Sequence, residues 1–164
     1  IAEMSRTDML TGLANRRHFQ ERYEELFAMV RRHGCILSVI LLDLDLFKQV
    51  NDSLGHDAGD AVLSEFGRVL RENCRQDDFP ARFGGEEFIV LLPHTPAAEA
   101  MVLGDRLRET VAGRDMLPDR QRVTISAGIA ELEPEESKES LIQRADQALY
   151  RAKQQGRNRC AAAD

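Results

Sequence analysis

The sequence has no tryptophan and only two tyrosines, and aromatic residues make up 5% of its 164 positions. Single-stranded nucleic acids are held by aromatic platforms set in a basic groove, and this chain offers few such platforms. Positive charge is in deficit as well. Twenty-eight acids against 22 Lys and Arg leave a formal net charge of -6. That balance argues against a nucleic acid polymer as partner and against direct docking on an anionic membrane. No apolar run approaches the ~18 residues that span a bilayer. The three cysteines, Cys35, Cys74 and Cys160, include no CxxC pair. A disulfide framework or a zinc site is therefore not expected, and reduced thiols in a cytoplasm are. No basic-then-apolar leader is present, and the first residue is Ile1 rather than Met. The expectation is a piece of a longer protein, with residues 1–8 leading in from an upstream regulatory segment that could itself hold a membrane anchor.

What is present is a globular balance of 43% hydrophobic and 30% charged residues. The length suits one domain, taken as residues 1–164. Asn15 is placed to cap a helix running to about Arg32, with Phe19, Tyr23, Leu26, Phe27 and Val30 on one face. Ile36 to Leu42 is nearly unbroken apolar sequence, the pattern of a central strand buried on both faces. Residues 46–60, rich in Asn, Asp and Gly, read as a loop. A helix follows through Val62, Phe66 and Leu70. Phe79–Phe83 and Glu87–Leu92 read as two strands joined by a hairpin at Gly84-Gly85. A helix opened by Pro96 comes next, then the polar loop 117–122. Val123 to Ile129 reads as a strand with two unlike faces, and Ser137 caps a last helix ending before Gly156. Without its first and last helices the order is β-α-β-β-α-β. The fold class is therefore α+β, with a ferredoxin-like βαββαβ core, an antiparallel central sheet and extra N- and C-terminal helices.

That topology makes a chemical prediction. The third strand inserts between the first and second and runs antiparallel to both. The end of the first strand, with Asp43 and Asp45, then lies beside the start of the third, with Glu86 and Glu87. Carboxylates at short range repel and raise one another's pKa. A divalent cation such as Mg²⁺ relieves the conflict, and acids at two strand ends suit metal-assisted phosphoryl transfer. The plainer alternative is that these acids only solubilise turns. Gly84 and Gly85 likewise serve a tight turn, the close approach of a ligand to bare backbone, or both.

At this point the residues resemble a known family. Gly84 to Phe88 reads GGEEF, a variant of the signature of GGDEF-domain diguanylate cyclases. Asp8 to Arg17 reads DMLTGLANRR, similar to that family's DxLTGLxNRR. Asp43 to Asp52 reads DLDLFKQVND, similar to its DxDxFKxxND. Gly55-His56-Asp57, Gly59-Asp60, Val123 to Gly128, Ala145 to Lys153, and Gly156 to Asn158 also fit. The resemblance spans about residues 5–158. It implies an enzyme that condenses two GTP into cyclic di-GMP and releases two diphosphates. It also implies a metal cofactor, Mg²⁺ or Mn²⁺, and a working homodimer in which each domain holds one GTP.

The resemblance also implies roles. Asp43, Glu86 and the Leu44 backbone are the metal ligands, with Glu87 a further ligand and a candidate base for the 3′-hydroxyl proton. Asp45 matches the motif, and a loop-bonding structural role is the preferred reading of it. Asn51 and Asp60 are placed on the guanine edge, where an amide and a carboxylate supply complementary partners. Each would otherwise read as a loop or helix cap, Asp60 standing where a helix was expected to begin. Lys48, Lys153 and Arg157, with backbone N–H groups near Phe47 and Lys48 and the bare backbone of Gly85, are placed on the triphosphate. Basic residues after the last helix also complement its dipole, so the resemblance is what selects Lys153 and Arg157. Arg75-Gln-Asp-Asp78, nine residues before Gly84, is RxxD, the family's inhibitory product site, with Arg106 a secondary contact. Two rivals stand beside an active cyclase. One is a catalytically weak domain that binds GTP or cyclic di-GMP as a regulatory module. The other is a palm-like transferase acting on nucleic acid, against which the acidic balance speaks.

Overall fold

The computed structural model describes residues 5–118 and 121–164. Residues 1–4 of the expected lead-in, and 119–120 of the expected polar loop, lie outside the described residues. Helix α1 (Arg16–His33) begins where Asn15 accepts a hydrogen bond from the His18 N–H, and it buries Phe19, Tyr23, Leu26 and Val30. Such a cap contributes ~1 kcal/mol. Strand β1 (Leu37–Leu44) is buried at every position, as its unbroken apolar sequence predicted.

The remaining strands are β2 (Phe79–Gly84), β3 (Glu87–Pro93), β4 (Ile125–Glu131) and β5 (Arg159–Ala162). They form one sheet in the order β2-β3-β1-β4-β5, antiparallel except for the β4–β5 pair. β3 lies between β1 and β2, as the split topology requires. Alternate residues of β1 serve opposite layers. Ile40 and Leu42 join Phe88 and Val90 beneath α3 (His56–Asn73) and α4 (Ala97–Ala112), where Phe66 meets Phe88 edge-on at 4.7 Å. Val39 and Leu41 join Ile89 and Leu91 beneath α1 and α5 (Lys138–Gln154). The two faces of β4 are unlike, as expected, yet both are covered. Ile125, Ala127 and Ile129 pack under the first layer, and the smaller residues let α5 come close. A side chain at Gly128 would start 2.1 Å from the Ala145 carbonyl oxygen and 2.4 Å from the Leu149 nitrogen. This contact brings the C-terminal end of α5 over the end of β1.

Four local expectations are corrected. Residues 46–60 are not a loop: α2 (Phe47–Leu54) occupies them, and α3 already begins at His56. α2 buries only Phe47, so its polar remainder carries no apolar periodicity to read. Asp60 therefore lies within α3 and is not its cap. The hairpin turn falls on Gly85-Glu86, because Gly84 still pairs with Glu87. Finally, β5 adds a fifth strand at the β4 edge; its Cys-Ala-Ala sequence is too short and small to announce itself.

Candidate active site

β1 and β3 are in register so that Asp43 stands opposite Glu87, and the Leu44 N–H donates to the Glu86 carbonyl at 3.4 Å. The expected juncture of two strand ends is thus formed. Asp43 is buried, while Glu86 and Glu87 are half-buried. Lys153, near the end of α5, makes an ion pair with Asp43 Oδ2. Burial pushes the Asp43 carboxyl above its ordinary pKa, and the charges of Glu86 and Asp45 add to this while Lys153 opposes it. Burial also raises Glu87, helped by Asp43 and by Asp146 on α5.

The other oxygen of Asp43, Oδ1, is buried and has no hydrogen-bond partner. An unsatisfied buried carboxylate oxygen costs about 1–3 kcal/mol, more when it is charged. A hard cation is a natural partner for it. Among the described residues no three His, Cys, Asp or Glu side chains are gathered as a preassembled cage. That fits Mg²⁺ or Mn²⁺ held by one or two carboxylates together with water and phosphate oxygens, the habit of nucleotide sites. The residues present therefore fit the implied metal.

Asp45 does not join this edge. Its carboxylate accepts hydrogen bonds from Thr124 Oγ1 at 2.8 Å, Ser126 Oγ at 2.7 Å and the Asn158 N–H at 3.0 Å. Of the four acids expected there, Asp43, Glu86 and Glu87 thus lie along the edge without closing into a three-carboxylate group, and Asp45 is engaged elsewhere. The structural reading of Asp45 is the one its contacts support, although its partners lie at the start of β4, just before it and after α5 instead of in the following loop.

α2 starts two residues after Asp45. The N–H groups of Phe47 and Lys48 are the first of that helix and have no acceptor within it. Lys48 is exposed. Asn51 on α2 packs against α3 at Gly59, where an added Cβ would lie only 1.9 Å from Asn51 Oδ1. Asp60, exposed, is the next residue along α3, so the two expected guanine partners sit on adjoining helices. Gly85 has φ 51 and open space on its side-chain side. Arg157 follows α5 in a left-handed conformation, φ 62, and is exposed.

A second locus lies on another part of the surface. Arg75, Asp78, Thr95, Glu99, Leu103 and Arg106 line one depression. The RxxD turn is closed on itself: the Arg75 N–H donates to Asp78 Oδ2 at 2.8 Å, and the Asp78 N–H to the Arg75 carbonyl at 3.1 Å. Arg106 grips the end of α3 through Asn73 Oδ1 at 3.3 Å and the Asn73 carbonyl at 3.0 Å.

The family model described as "Diguanylate cyclase, GGDEF domain" matches residues 5–159. The chain belongs to the GGDEF family. It is 42% identical over 165 residues to the response regulator PleD of Caulobacter vibrioides, a match covering 95% of this chain and 36% of that protein. It is 48% identical over 155 residues to the diguanylate cyclase DgcP of Pseudomonas aeruginosa, covering 93% of this chain and 23% of that protein. Among solved structures it is similar to the GGDEF domain of DgcB from Caulobacter crescentus in complex with c-di-GMP, with TM-score 0.94 and 35% identity over 99% of this chain and 98% of that one. It is also similar to the active GGEEF domain of a diguanylate cyclase from Vibrio cholerae, with TM-score 0.89 and 35% identity over 93% and 98% of the two chains. The chain therefore spans about a third or less of the lengths of PleD and DgcP.

Within this GGDEF domain, two contributors to the edge were missed by sequence reasoning. Asp146 adds negative charge beside Glu87; its signal is a spacing of seven from Lys153, two turns along one helical face. Arg82 donates from Nε to the Gly85 carbonyl at 2.9 Å and from Nη1 to Asp8 at 3.2 Å, tying the signature turn to the opening motif. Only the fold brings these two residues, 74 positions apart, together. The described helices include none long and apolar enough to cross a membrane.

Proposed function

We propose that this domain is one catalytic half of a diguanylate cyclase. The carrying observation is the juncture of β1 and β3, where Asp43 faces Glu87 and keeps one buried oxygen unpartnered. Asp43, Glu86 and the Leu44 backbone, with Glu87 beside them, would hold Mg²⁺ or Mn²⁺. When bound, such a cation neutralises triphosphate charge and polarises the α-phosphorus. The protein's own groups do the rest. Asn51 and Asp60 orient the guanine. Lys48, Lys153, Arg157 and the first N–H groups of α2 at Phe47 and Lys48 hold the phosphates, and Gly85 leaves room for close approach. Glu87 is the candidate acceptor for the ribose 3′-hydroxyl proton.

One domain holds one GTP, and the reaction joins two. In a homodimer each 3′-oxygen forms a bond to the α-phosphorus of the opposite GTP as the bond to diphosphate breaks. Two such transfers release two diphosphates and two protons and close the cyclic dinucleotide. The product then binds the Arg75–Asp78 turn with help from Arg106 and holds the two halves apart, a feedback of the allosteric kind. A reaction on GTP with Mg²⁺ suits the cytoplasm.

The test is incubation with GTP and Mg²⁺ followed by chromatography for cyclic di-GMP, across a range of protein concentrations. Product whose formation per domain rises with protein concentration supports the proposal. GTP binding without product at any concentration, with Mn²⁺ as well as Mg²⁺, overturns it in favour of a binding module.

A further inference from the structure

The segment after α5 is an unusual piece of backbone. Gly156, Arg157 and Asn158 are consecutive and all have positive φ, at 125, 62 and 48. Glycine adopts that region freely and asparagine tolerates it, but arginine does so only when its surroundings hold it there. Besides a 3.4 Å hydrogen bond from Arg108 Nη1 on α4 to Asn158 Oδ1, three contacts do this. The Arg157 N–H donates to the Ala152 carbonyl at 3.0 Å. Arg159 Nε donates to the Arg157 carbonyl at 3.0 Å. The Asn158 N–H donates to Asp45 Oδ2 at 3.0 Å. The first two stay within the local chain. The third fastens the turn to the far side of the sequence, two residues past Asp43.

Asp45 is built for that task. It is 7% exposed, and both its oxygens are engaged by Thr124, Ser126 and Asn158. Each of these donors meets a charged acceptor, the stronger class of hydrogen bond. One hydroxyl comes from Ser126 on β4, beside β1 in the sheet, and the other from Thr124, the residue just before that strand, so the carboxylate itself has a rigid seat. From that seat it reaches out to a single backbone N–H in the turn.

We infer that Asp45 is a positioning residue for the triphosphate: it fixes the Arg157–Asn158 turn so that the Arg157 guanidinium and the end of α5 face the β1–β3 juncture. The inference rests on the reading of Arg157 as a phosphate contact. With both oxygens taken by Thr124, Ser126 and Asn158, Asp45 acts through Arg157. Without it the turn loses its buried carboxylate anchor and keeps only the weaker hold of Arg108 on Asn158, so the left-handed pair is less fixed and Arg157 is less often aimed at the juncture.

The experiment is a double-mutant cycle read by GTP affinity. Wild type, Asp45→Ala, Arg157→Ala and the double variant are compared by KM for GTP, by kcat, and by calorimetric Kd for a non-hydrolysable GTP analogue and for guanosine. Asp45→Ala is expected to weaken the triphosphate ligand roughly ten- to a hundredfold, the worth of one charged contact. Guanosine affinity stays as in wild type. The loss disappears in the Arg157→Ala background, because residues acting through one contact are not additive. Asp45→Asn keeps an acceptor oxygen for Asn158 and is expected to lose no more than about threefold. Should Asp45→Ala not fold, Asp45→Asn carries the same cycle, and its smaller loss must likewise vanish beside Arg157→Ala. Losses that add, or guanosine affinity that falls equally, overturn the positioning role. Failure of the underlying reading looks different: Arg157→Ala alone then leaves triphosphate affinity unchanged.

Discussion

Substituting Gly59 by Ala separates stability from nucleotide recognition. The new methyl would sit 1.9 Å from Asn51 Oδ1, 3.0 Å from Asn51 Cγ and 3.1 Å from Phe47 Cζ. The severe contact is with the end of a flexible side chain, so Asn51 must change rotamer while Phe47 gives by a few tenths of an ångström. An off-minimum side chain costs ~0.5–1.5 kcal/mol, and replacing Gly by Ala within a helix returns ~0.5–1 kcal/mol. Folding stability is then expected within ~1 kcal/mol of wild type, a Tm shift of roughly 2–4 °C or less for a chain of this size. Recognition is not spared. If Asn51 bonds the guanine edge, displacing it removes a hydrogen bond with a net worth of ~0.5–1.5 kcal/mol, a loss of roughly 3–10-fold in affinity. Differential scanning fluorimetry and calorimetric titration with a non-hydrolysable GTP analogue read the two effects on the same sample. Asn51→Ala alone should reproduce the affinity loss, and adding Gly59→Ala should deepen it little. Wild-type affinity in Gly59→Ala would refute the placement of Asn51 on the base. Stability lower by more than ~3 kcal/mol would refute the view that Asn51 is free to move.

At the second locus, Arg75→Ala with Asp78→Ala should raise the cyclic di-GMP concentration needed for inhibition by roughly tenfold or more, the loss of a charged contact. Steady-state rates at increasing product read this directly, and unchanged inhibition would place the product site elsewhere. Acid stability tests a different contact. Hydrogen bonds from Arg144 hold the Glu136 carboxyl down to about 2, against an ordinary 4.5. A carboxyl depressed on folding stabilises the protein above its unfolded pKa, and that stabilisation fades as pH falls toward the folded value. Glu136→Gln should therefore cost ~1–3 kcal/mol in urea unfolding near neutral pH. The difference should close between about pH 4.5 and about pH 2; a gap that stays constant across that range would refute the pairing. Thiol chemistry offers a third check. Burial pushes Cys74 and Cys160 up to about 12, so both should alkylate far more slowly in native than in urea-unfolded protein at neutral pH, and equal rates would contradict their burial.

The legible parts of this molecule are those in which one residue's surroundings are local. Asn15 caps a helix through an N–H three residues away, and the unbroken run of β1 declares burial on both faces. The β1–β3 juncture also followed from the sequence, because connection rules for split βαβ units leave few ways to place the third strand. α2 escaped because a helix that buries one side chain, Phe47, has no stripe to detect. The engagement of Asp45 escaped for another reason. Its partners are 79, 81 and 113 positions away, and nothing in an Asp-Leu-Asp tripeptide tells which carboxylate the fold will satisfy and which it will leave with an open oxygen. The site's contrast between Asp43 and Asp45 is a product of packing alone.

That contrast points to the most direct measurement. Cyclic di-GMP formation from GTP and Mg²⁺ is compared for wild type, Asp43→Asn and Glu86→Gln at matched concentrations, with Tm recorded for each. Removing a group that stabilises transferring phosphoryl charge lowers turnover by roughly a hundredfold or more. The account predicts that loss in both variants with the fold retained; Asp43→Asn gives up the ion pair with Lys153 but also removes a buried carboxylate with one unpartnered oxygen, so its Tm is expected near that of wild type. Turnover retained in both variants, with the fold intact, would contradict it.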